Sequence, residues 1–416
     1  MEGEYMKGNT QDLTKGSIVK AIILFSVPLL IGNLFQQLYN AVDSYVVGNY
    51  VGKVALAAVG ASTPIINMLI GFFMGISTGA GVVIAQFFGA GDLSKMKKAI
   101  HNSIALTLVI GVVLTVIGLV FNDPILKAIG VPNDVFSEAS THLSIYFWSL
   151  IFVMIYNMGS GILRSVGDSK RPLYFLIFSS IINIVLDPVM IFGIGPCPKL
   201  GIEGAALATG IGQAAGALLY LILYIVKPLP VKYKKEYLKP DVGIWRKLYV
   251  IGIPACLNMA LPSLLISVLN VILAGYGEVY VFVLGVYYKL QTFLYLPVNG
   301  IVQGLRPLIG YNYGAREYKR VHKIFQDGLI LVLVMMSVGT IICFAIPGQL
   351  IGLFTENAVT IQKGITALKV ISIGFIASSV SVICCGALEG LRKGMPSLII
   401  SLCRYVVVII PTAFIV

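Results

Sequence analysis

The chain has 416 residues, of which 57% are hydrophobic and only 12% are charged, and its mean hydropathy is +0.91. A soluble protein of this length needs far more charge to cover its surface, so the composition excludes a soluble or disordered protein and indicates a polytopic membrane protein. The net charge of +12 would suit a nucleic-acid partner, but the distribution of the basic residues along the chain argues against one.

Apolar stretches of about 20 residues or more, long enough to cross a bilayer core of roughly 30 Å, recur between short polar breaks. The N-terminal segment 1–17 is polar, and the apolar stretch after it lacks the cleavage pattern of a signal peptide, so that stretch is predicted to be the first membrane helix. An all-α fold with eleven membrane helices is predicted, at about residues 18–46, 54–88, 99–121, 136–162, 172–193, 202–226, 244–274, 279–312, 320–345, 364–390 and 395–416.

The basic residues are concentrated in alternate polar breaks. The opposite breaks contain only Lys53, Lys127 and Lys199. About 22 of the 30 Lys and Arg residues occur in the breaks 1–20, 89–98, 163–171, 227–247, 314–323 and 391–394. The positive-inside rule therefore predicts a multi-pass protein of the cell membrane with a cytoplasmic N-terminus. The basic residues therefore set the orientation of the chain in the membrane. Membrane lipids are expected partners, and nucleic acid is not.

The two halves of the chain resemble each other at a nearly constant shift. GAGDLSKMKKAIHNS at 89–103 resembles GAREYKRVHKIFQDG at 314–328, a shift of 225, and Pro28 matches Pro254 at a shift of 226. The shift spans six predicted helices, an even number, so both halves enter the membrane from the same side. Two six-helix lobes related by a parallel internal repeat are therefore expected around a central cleft.

The repeat also predicts the domain organisation. The N-terminal lobe is assigned to 1–226, a cytoplasmic inter-lobe linker to 227–243, and the C-terminal lobe to 244–416. The segment 395–416 matches the fifth helix, so the partner of the sixth helix, 202–226, is predicted to be missing from this chain. A complete second lobe is expected to extend to about residue 450 by the same repeat.

Two acidic residues lie well inside the predicted helices of the front half, Asp43 in QQLYNAVDSYVVG and Asp187 in NIVLDPVMIFG. A carboxylate surrounded by Leu, Ile and Val at membrane depth is costly, so two of them indicate a functional site. The structural alternative is that each caps a broken helix or pairs with a backbone amide. We interpret the pair as the coupling site of a cation-driven transporter.

Several stretches distributed over nearly the whole chain form a recognisable set. They are VDSYVVGNYVG, ALAAVGASTPI, GAGVVIAQFFGAGD, ILRSVGDSKRP, NIVLDPVMIFG, GIEGAALATGIGQ and PLIGYNYGA. Together they resemble the multidrug and toxic compound extrusion (MATE) family. The resemblance implies twelve helices in two six-helix lobes. It also implies export of bulky, often cationic compounds against inward Na⁺ or H⁺.

In the branch of that family with an N-lobe site, the residues that the resemblance implies are an Asp on the first helix, Asn-x-x-x-Asp on the fifth and a hydroxyl on the sixth. In this chain those positions are Asp43, Asn183 with Asp187, and Thr209. Two carboxylates, an amide oxygen and a hydroxyl would form an oxygen-rich cage for Na⁺, and the carboxylates could take a proton instead. For Asn183 and Thr209, ordinary helix packing is the alternative.

The helical rise gives an independent test of whether these residues lie at one depth. Asp43 comes about 23 residues after Lys20, or roughly 35 Å along a helix, and Asp187 comes about 16 residues after Arg171, or roughly 24 Å. Thr209 lies about 10 Å below the outer start of its descending helix. All three are therefore expected in the outer half of the membrane.

Charged residues of the second lobe are mostly basic. Lys289 and Arg404 lie inside predicted helices, where they could shape the cavity potential, bind an anionic substrate or headgroup, or simply extend toward an interface. Arg164, Arg306 and Glu389 lie at inner helix ends and are interpreted as interface anchors.

The second predicted helix has a ladder of small residues. Gly71, Gly75 and Gly79 are spaced four apart, so they share one face of the helix. Small residues at this spacing let the backbones of two membrane helices approach closely. The ladder therefore predicts close helix packing along this face.

Multidrug efflux by antiport and alternating access is the predicted function, carried out by a monomer on a small-molecule substrate with no cofactor other than the coupling ion. A flippase for a lipid-linked saccharide is the alternative, and it would favour basic residues in the cleft of both lobes. An enzyme is not expected, because the three histidines are scattered along the chain and form no HExxH motif. The sequence distinguishes neither Na⁺ from H⁺ nor one substrate from another.

Overall fold

The computed structural model describes residues 13–195, 197–226 and 235–415. These ranges consist almost entirely of helices and contain no β-strand. The helices are α1 (Ile18–Val46), α2 (Lys53–Gly89), α3 (Leu93–Val120), α4 (Asn122–Ala128), α5 (Asn133–Ser165), α6 (Lys170–Phe192), α7 (Ile202–Val226), α8 (Val242–Ala274), α9 (Glu278–Gly314), α10 (Tyr318–Ala345), α11 (Pro347–Gly352), α12 (Ala358–Gly390), α13 (Gly394–Leu402) and α14 (Ile410–Ile415).

Within the described residues, ten helices are long and apolar enough to cross a membrane, and each corresponds to one of the first ten predicted helices. The eleventh predicted helix is also helical, with a π-helical segment, Cys403–Ile409, joining α13 to α14. A second π-helical segment, Val47–Val51, extends α1. The all-α polytopic membrane fold is thereby confirmed. The two short helices α4 and α11 were not predicted, since they are too short to show a helical period in the sequence.

The internal repeat is visible in the backbone. Gly52 and Gly277, which the shift of the repeat relates, both have φ of +126° and directly precede α2 and α9. Gly91 has φ of +70°, and Arg316, at the same shift, has φ of +62°. An arginine held in the left-handed region is uncommon, so the turn itself is retained where glycine is not. We call α1–α7 the first lobe and α8–α14 the second lobe.

The bundle has two ends. The end that we call the basic end carries the connections 90–92, 166–169, 235–241, 315–317 and 391–393. The end that we call the opposite end carries 121–132, 193–201, 275–277 and 346–357. The first part of the predicted linker, 227–234, lies outside the described residues. Its later part is fixed to α3, because the Asn102 amide donates to the Tyr237 and Lys239 carbonyls and Lys98 pairs with Asp241 at 2.6 Å.

The lobes meet chiefly through α2 and α8, in the halves nearest the basic end. The predicted glycine ladder of α2 forms this contact. A Cβ atom at Gly79 would lie 2.5 Å from the Leu248 carbonyl oxygen and 2.9 Å from the Gly252 nitrogen, and Gly71 faces Met259. The prediction of close helix packing is confirmed, because only a residue without a side chain permits this approach of two backbones.

The N-terminal segment 13–17 crosses from the first lobe to the second. The Arg320 guanidinium on α10 donates to the carbonyls of Leu13, Lys15 and Gly16 at 2.9–3.1 Å. The Asn312 amide also donates to the Leu13 carbonyl, and the Leu13 side chain is buried. The start of α1 is therefore held by the second lobe, although the helix belongs to the first.

Candidate functional site

A cavity of about 600 Å³, which we call the central cavity, lies mainly within the first lobe. Its walls come from α1, α2, α5, α6 and α7, and α9 of the second lobe closes one side. The lining is mixed, with aliphatic and aromatic side chains interrupted by amides, hydroxyls and few charges. A cavity of this size with a few convergent polar groups is typical of small-molecule binding sites.

The structure joins three of the predicted site residues directly. The Asn183 side-chain amide donates to Asp187 Oδ1 at 3.3 Å and to Thr209 Oγ1 at 3.1 Å. Asn183 and Asp187 are four residues apart on α6, so they share one helical face, and α7 packs against that face. Gly212 permits the approach, because a Cβ there would meet the Ser179 carbonyl oxygen at 2.9 Å.

Asp43 reaches the same region from α1. It lines the central cavity together with Asn183 and Thr209, and its charge interacts with that of Asp187. Asp187 lies behind Asn183 and is only 1% exposed. The structure therefore brings together all four residues implied by the resemblance, as their similar predicted depths require.

Three oxygens of this group have no hydrogen-bond partner among the described residues, namely Asp43 Oδ1, Asn183 Oδ1 and Asp187 Oδ2. Buried acceptors without donors are rare in native proteins, and each calls for an explanation. Hard cations are bound by such oxygens, from carboxylates, amides and hydroxyls. The donor set fits Na⁺, and a carboxylate left without a donor can also accept a proton.

Other polar residues of the cavity were not predicted. Tyr39 lies one turn before Asp43 on α1 and also lines the cavity. His142 and Gln213 line the cavity, and His142 Nδ1 and Gln213 Oε1 have no partner among the described residues. The four-residue spacing from Asp43 is a signal for Tyr39, but no sequence signal identifies His142 or Gln213.

Lys289 and Arg404 lie apart from the central cavity, each with its own partners in the second lobe. Lys289 is exposed, and its Nζ lies 5.8 Å from the centre of the Phe354 ring near the opposite end. Arg404 donates to the Ser378 carbonyl at 3.3 Å and stacks over Tyr405. Their role in a cavity potential stays a prediction.

The interpretation of Glu389 as an interface anchor is wrong, because its side chain is only 1% exposed. Its Oε2 pairs with Arg306 Nε at 2.7 Å, and its Oε1 accepts hydrogen bonds from Asn258 and Ser397. We call these four residues the Glu389 network. Arg164 is also internal and donates across the lobe boundary to Gln303 Oε1 at 3.0 Å. The sequence position of these residues near helix ends predicts a place at the membrane–water interface, but packing between the lobes covers them.

Comparison with known proteins agrees with this architecture. The MatE family model matches the chain twice, over residues 28–189 and 254–415. The chain belongs to the MatE family. The two matches begin at Pro28 and at Pro254, the pair that the sequence repeat relates, so the duplicated unit inferred from the sequence is the family's own unit.

Curated relatives and a solved structure cover most of the chain. The probable multidrug resistance protein YoeA of Bacillus subtilis is 32% identical over 85% of this chain and 77% of its own length. The multidrug export protein MepA of Staphylococcus aureus is 29% identical over 96% of this chain and 88% of its own. An outward-facing multidrug resistance MATE family transporter of the MOP superfamily superposes with a TM-score of 0.89 at 25% identity, over 98% of this chain and 91% of that one. The MatE chain described here is therefore a multi-pass membrane transporter.

Proposed function

We propose that this MatE transporter exports bulky, cationic amphipathic compounds as a monomer, by antiport with Na⁺ or H⁺. The central cavity supports the substrate class, because it combines apolar and aromatic walls with the single carboxylate of Asp43. Bulky lipophilic cations are recognised by such surfaces through apolar contact and charge. The names of YoeA and MepA support the same activity.

The observation that carries the coupling proposal is the set of unpartnered oxygens on Asp43, Asn183 and Asp187. A cation bound there neutralises the carboxylates that would otherwise attract a cationic substrate. Binding of the ion and binding of the substrate are then mutually unfavourable, which is antiport expressed as a coupling free energy between two sites.

Contacts at the basic end support a direction of opening. The buried Gln86 amide donates to the Gly390 carbonyl at 3.0 Å, and Gly89 lies against the Tyr311 carbonyl. With the basic end assigned to the cytoplasm by the positive-inside rule, the lobes are closed toward the cytoplasm. The outward-facing relative has the same overall arrangement.

Efflux of ethidium from proteoliposomes under imposed Na⁺ or pH gradients tests both parts of the proposal. Wild-type protein is expected to export the dye under one gradient, and that gradient identifies the ion. Asp43→Asn is expected to lose gradient-driven export while remaining folded. Asp92→Asn, a carboxylate in the connection before α3, is the matched control and is expected to retain it.

Export by Asp43→Asn at the wild-type rate would contradict the coupling site and leave the transporter assignment intact. No export by folded wild-type protein under either gradient would contradict the substrate class. It would favour a lipid-linked substrate instead.

A further inference from the structure

A second, smaller cavity of about 40 Å³ lies between the lobes, on the basic-end side of the central cavity. We call it the inter-lobe pocket. Its walls come from α2 and α5 of the first lobe and from α9 of the second. Arg164 and Gln303 line both cavities, so the inter-lobe pocket adjoins the floor of the central cavity.

The charges around the inter-lobe pocket do not balance. Arg164 and Arg306 both line it, and their positive charges interact. Arg306 is paired with the buried Glu389 carboxylate at 2.7 Å. Arg164 donates only to neutral oxygens, the Ser160 carbonyl at 3.1 Å and Gln303 Oε1 at 3.0 Å. In the described part of the chain, no ion pair includes Arg164. The pocket is thus lined by two guanidinium groups and, among the described residues, by no carboxylate.

An excess positive charge partly shielded from solvent is unfavourable unless a negative charge offsets it. The pocket offers donors to an anion, namely the N–H groups of the arginines, the Thr78 hydroxyl and the Gln303 amide. Water needs about 10–15 Å³ of such volume per molecule, so the pocket has room for about three waters. A monatomic anion with one water fits this space.

We propose that the inter-lobe pocket binds one small monovalent anion, such as chloride, between Arg164 and Arg306. Because its walls come from both lobes, the site exists only while the lobes are together at the basic end. The anion therefore binds the conformation described here in preference to one in which the lobes have separated there.

The test is the thermal stability of the full purified chain in detergent, with chloride replacing gluconate at constant ionic strength. A ligand that binds only the folded state raises the unfolding temperature with its concentration. Chloride is expected to raise it in a saturable manner. This readout requires no transport, so it succeeds or fails independently of the proposed antiport.

Two variants and a control locate the effect. Arg164→Gln is expected to lose the chloride response because the excess charge is removed. Gln303→Glu places a carboxylate beside Arg164, and it is expected to unfold at a higher temperature than wild type in gluconate and to show no chloride response. Lys127→Gln, an exposed lysine at the opposite end, is expected to respond like wild type.

The Gln303→Glu result cannot arise from misfolding, since its expected stability in gluconate is a gain. An equal chloride response in wild type and Arg164→Gln, or no response in folded wild type, would overturn the proposal.

Discussion

Each lobe has a buried polar group built around carboxylates, and the two groups differ in whether a basic residue neutralises their negative charge. In the first lobe, Asp43 and Asp187 each keep an oxygen with no donor, and neither has an ion-pair partner among the described residues. In the second lobe, Glu389 Oε2 lies 2.7 Å from Arg306 Nε as an ion pair without hydrogen-bond geometry, and its Oε1 accepts hydrogen bonds from Asn258 and Ser397. Burial is the same in kind for Asp187 and Glu389, at 1% exposure each.

The comparison shows that burial of an acid does not by itself identify an ion site. Glu389 is neutralised by Arg306 within the protein, so a transported cation would have to compete with a guanidinium for it. The first-lobe carboxylates have no basic residue as an ion-pair partner in the described part of the chain, so their charge is available to a cation or a proton. The first lobe therefore contains the candidate coupling site, and the second contains a structural ion pair.

The largest effect on stability is expected from breaking the pair in the second lobe. Glu389→Gln leaves Arg306 buried without a counter-charge, which costs about 3–5 kcal/mol. The double variant Glu389→Gln with Arg306→Met removes both charges and is expected to recover most of that loss. Thermal or denaturant unfolding of the purified variants measures both. A double variant no more stable than Glu389→Gln alone would show that the network acts through packing and not through charge.

Asp187→Asn is expected to behave in the opposite way to Glu389→Gln, with a loss of transport and no loss of stability. It removes a buried carboxylate that has no cationic partner, so the unfolding temperature is expected to stay the same or rise. Gradient-driven export is expected to fall by about tenfold or more, since one lost charge–cation interaction exceeds about 1.4 kcal/mol. Export and unfolding are measured on the same preparation. A large loss of stability would place Asp187 in the same structural class as Glu389.

Thr209→Val tests whether the Thr209 hydroxyl belongs to the first-lobe site, and its effect on export is expected to be smaller than that of Asp187→Asn. Valine keeps the shape of threonine and removes the hydroxyl that accepts from Asn183. Loss of one neutral hydrogen bond or ligand costs about 1 kcal/mol, so the ion concentration for half-maximal export is expected to rise about fivefold. Ser267→Ala, which removes an exposed hydroxyl on α8, is the control. An unchanged ion dependence would exclude the Thr209 hydroxyl from the site.

The smallest effect is expected at Asp241, a carboxylate outside both buried groups. Its Oδ1 caps α8 by accepting from the Ile244 N–H at 3.1 Å, and its Oδ2 pairs with Lys98. The side-chain hydrogen bond from Lys98 comes first among the causes that lower the pKa of Asp241 below its ordinary 3.8, followed by the backbone N–H of Ile244. Asp241→Ala is expected to cost about 1 kcal/mol at pH 7, chiefly as a lost cap.

The sign of the pH dependence follows from the lowered pKa of Asp241. The ionised form is favoured by folding, so its contribution is present above pH 3.8 and is lost as the pH falls through the lower folded-state value. The difference between wild type and Asp241→Ala is therefore expected to shrink below about pH 4. Asp241→Asn retains a capping side chain and loses the ion pair, so its stability is expected to lie between those of wild type and Asp241→Ala. A difference independent of pH would assign the effect to packing.

The helices and the repeat could be predicted because hydropathy and spacing are properties of one chain segment at a time. Asp43 and Asp187 stand out for the same reason, as charges within long apolar stretches. The prediction for Glu389 is wrong because its partner Arg306 belongs to a different helix, α9, and meets it only after folding. His142 and Gln213 could not be predicted to line the cavity, because a single polar residue does not indicate which face of its helix is turned toward a cavity.

The hold of Arg320 on the N-terminal segment has a consequence for how the protein is made. The Asn312 amide that contacts the Leu13 carbonyl is 299 residues further along the chain. At synthesis rates of about 5–20 residues per second, α1 waits on the order of 15–60 s before that contact can form. During membrane insertion, the first helix to leave the ribosome is thus among the last to be locked at its start. Newly made first lobes must wait in the bilayer with that end unattached.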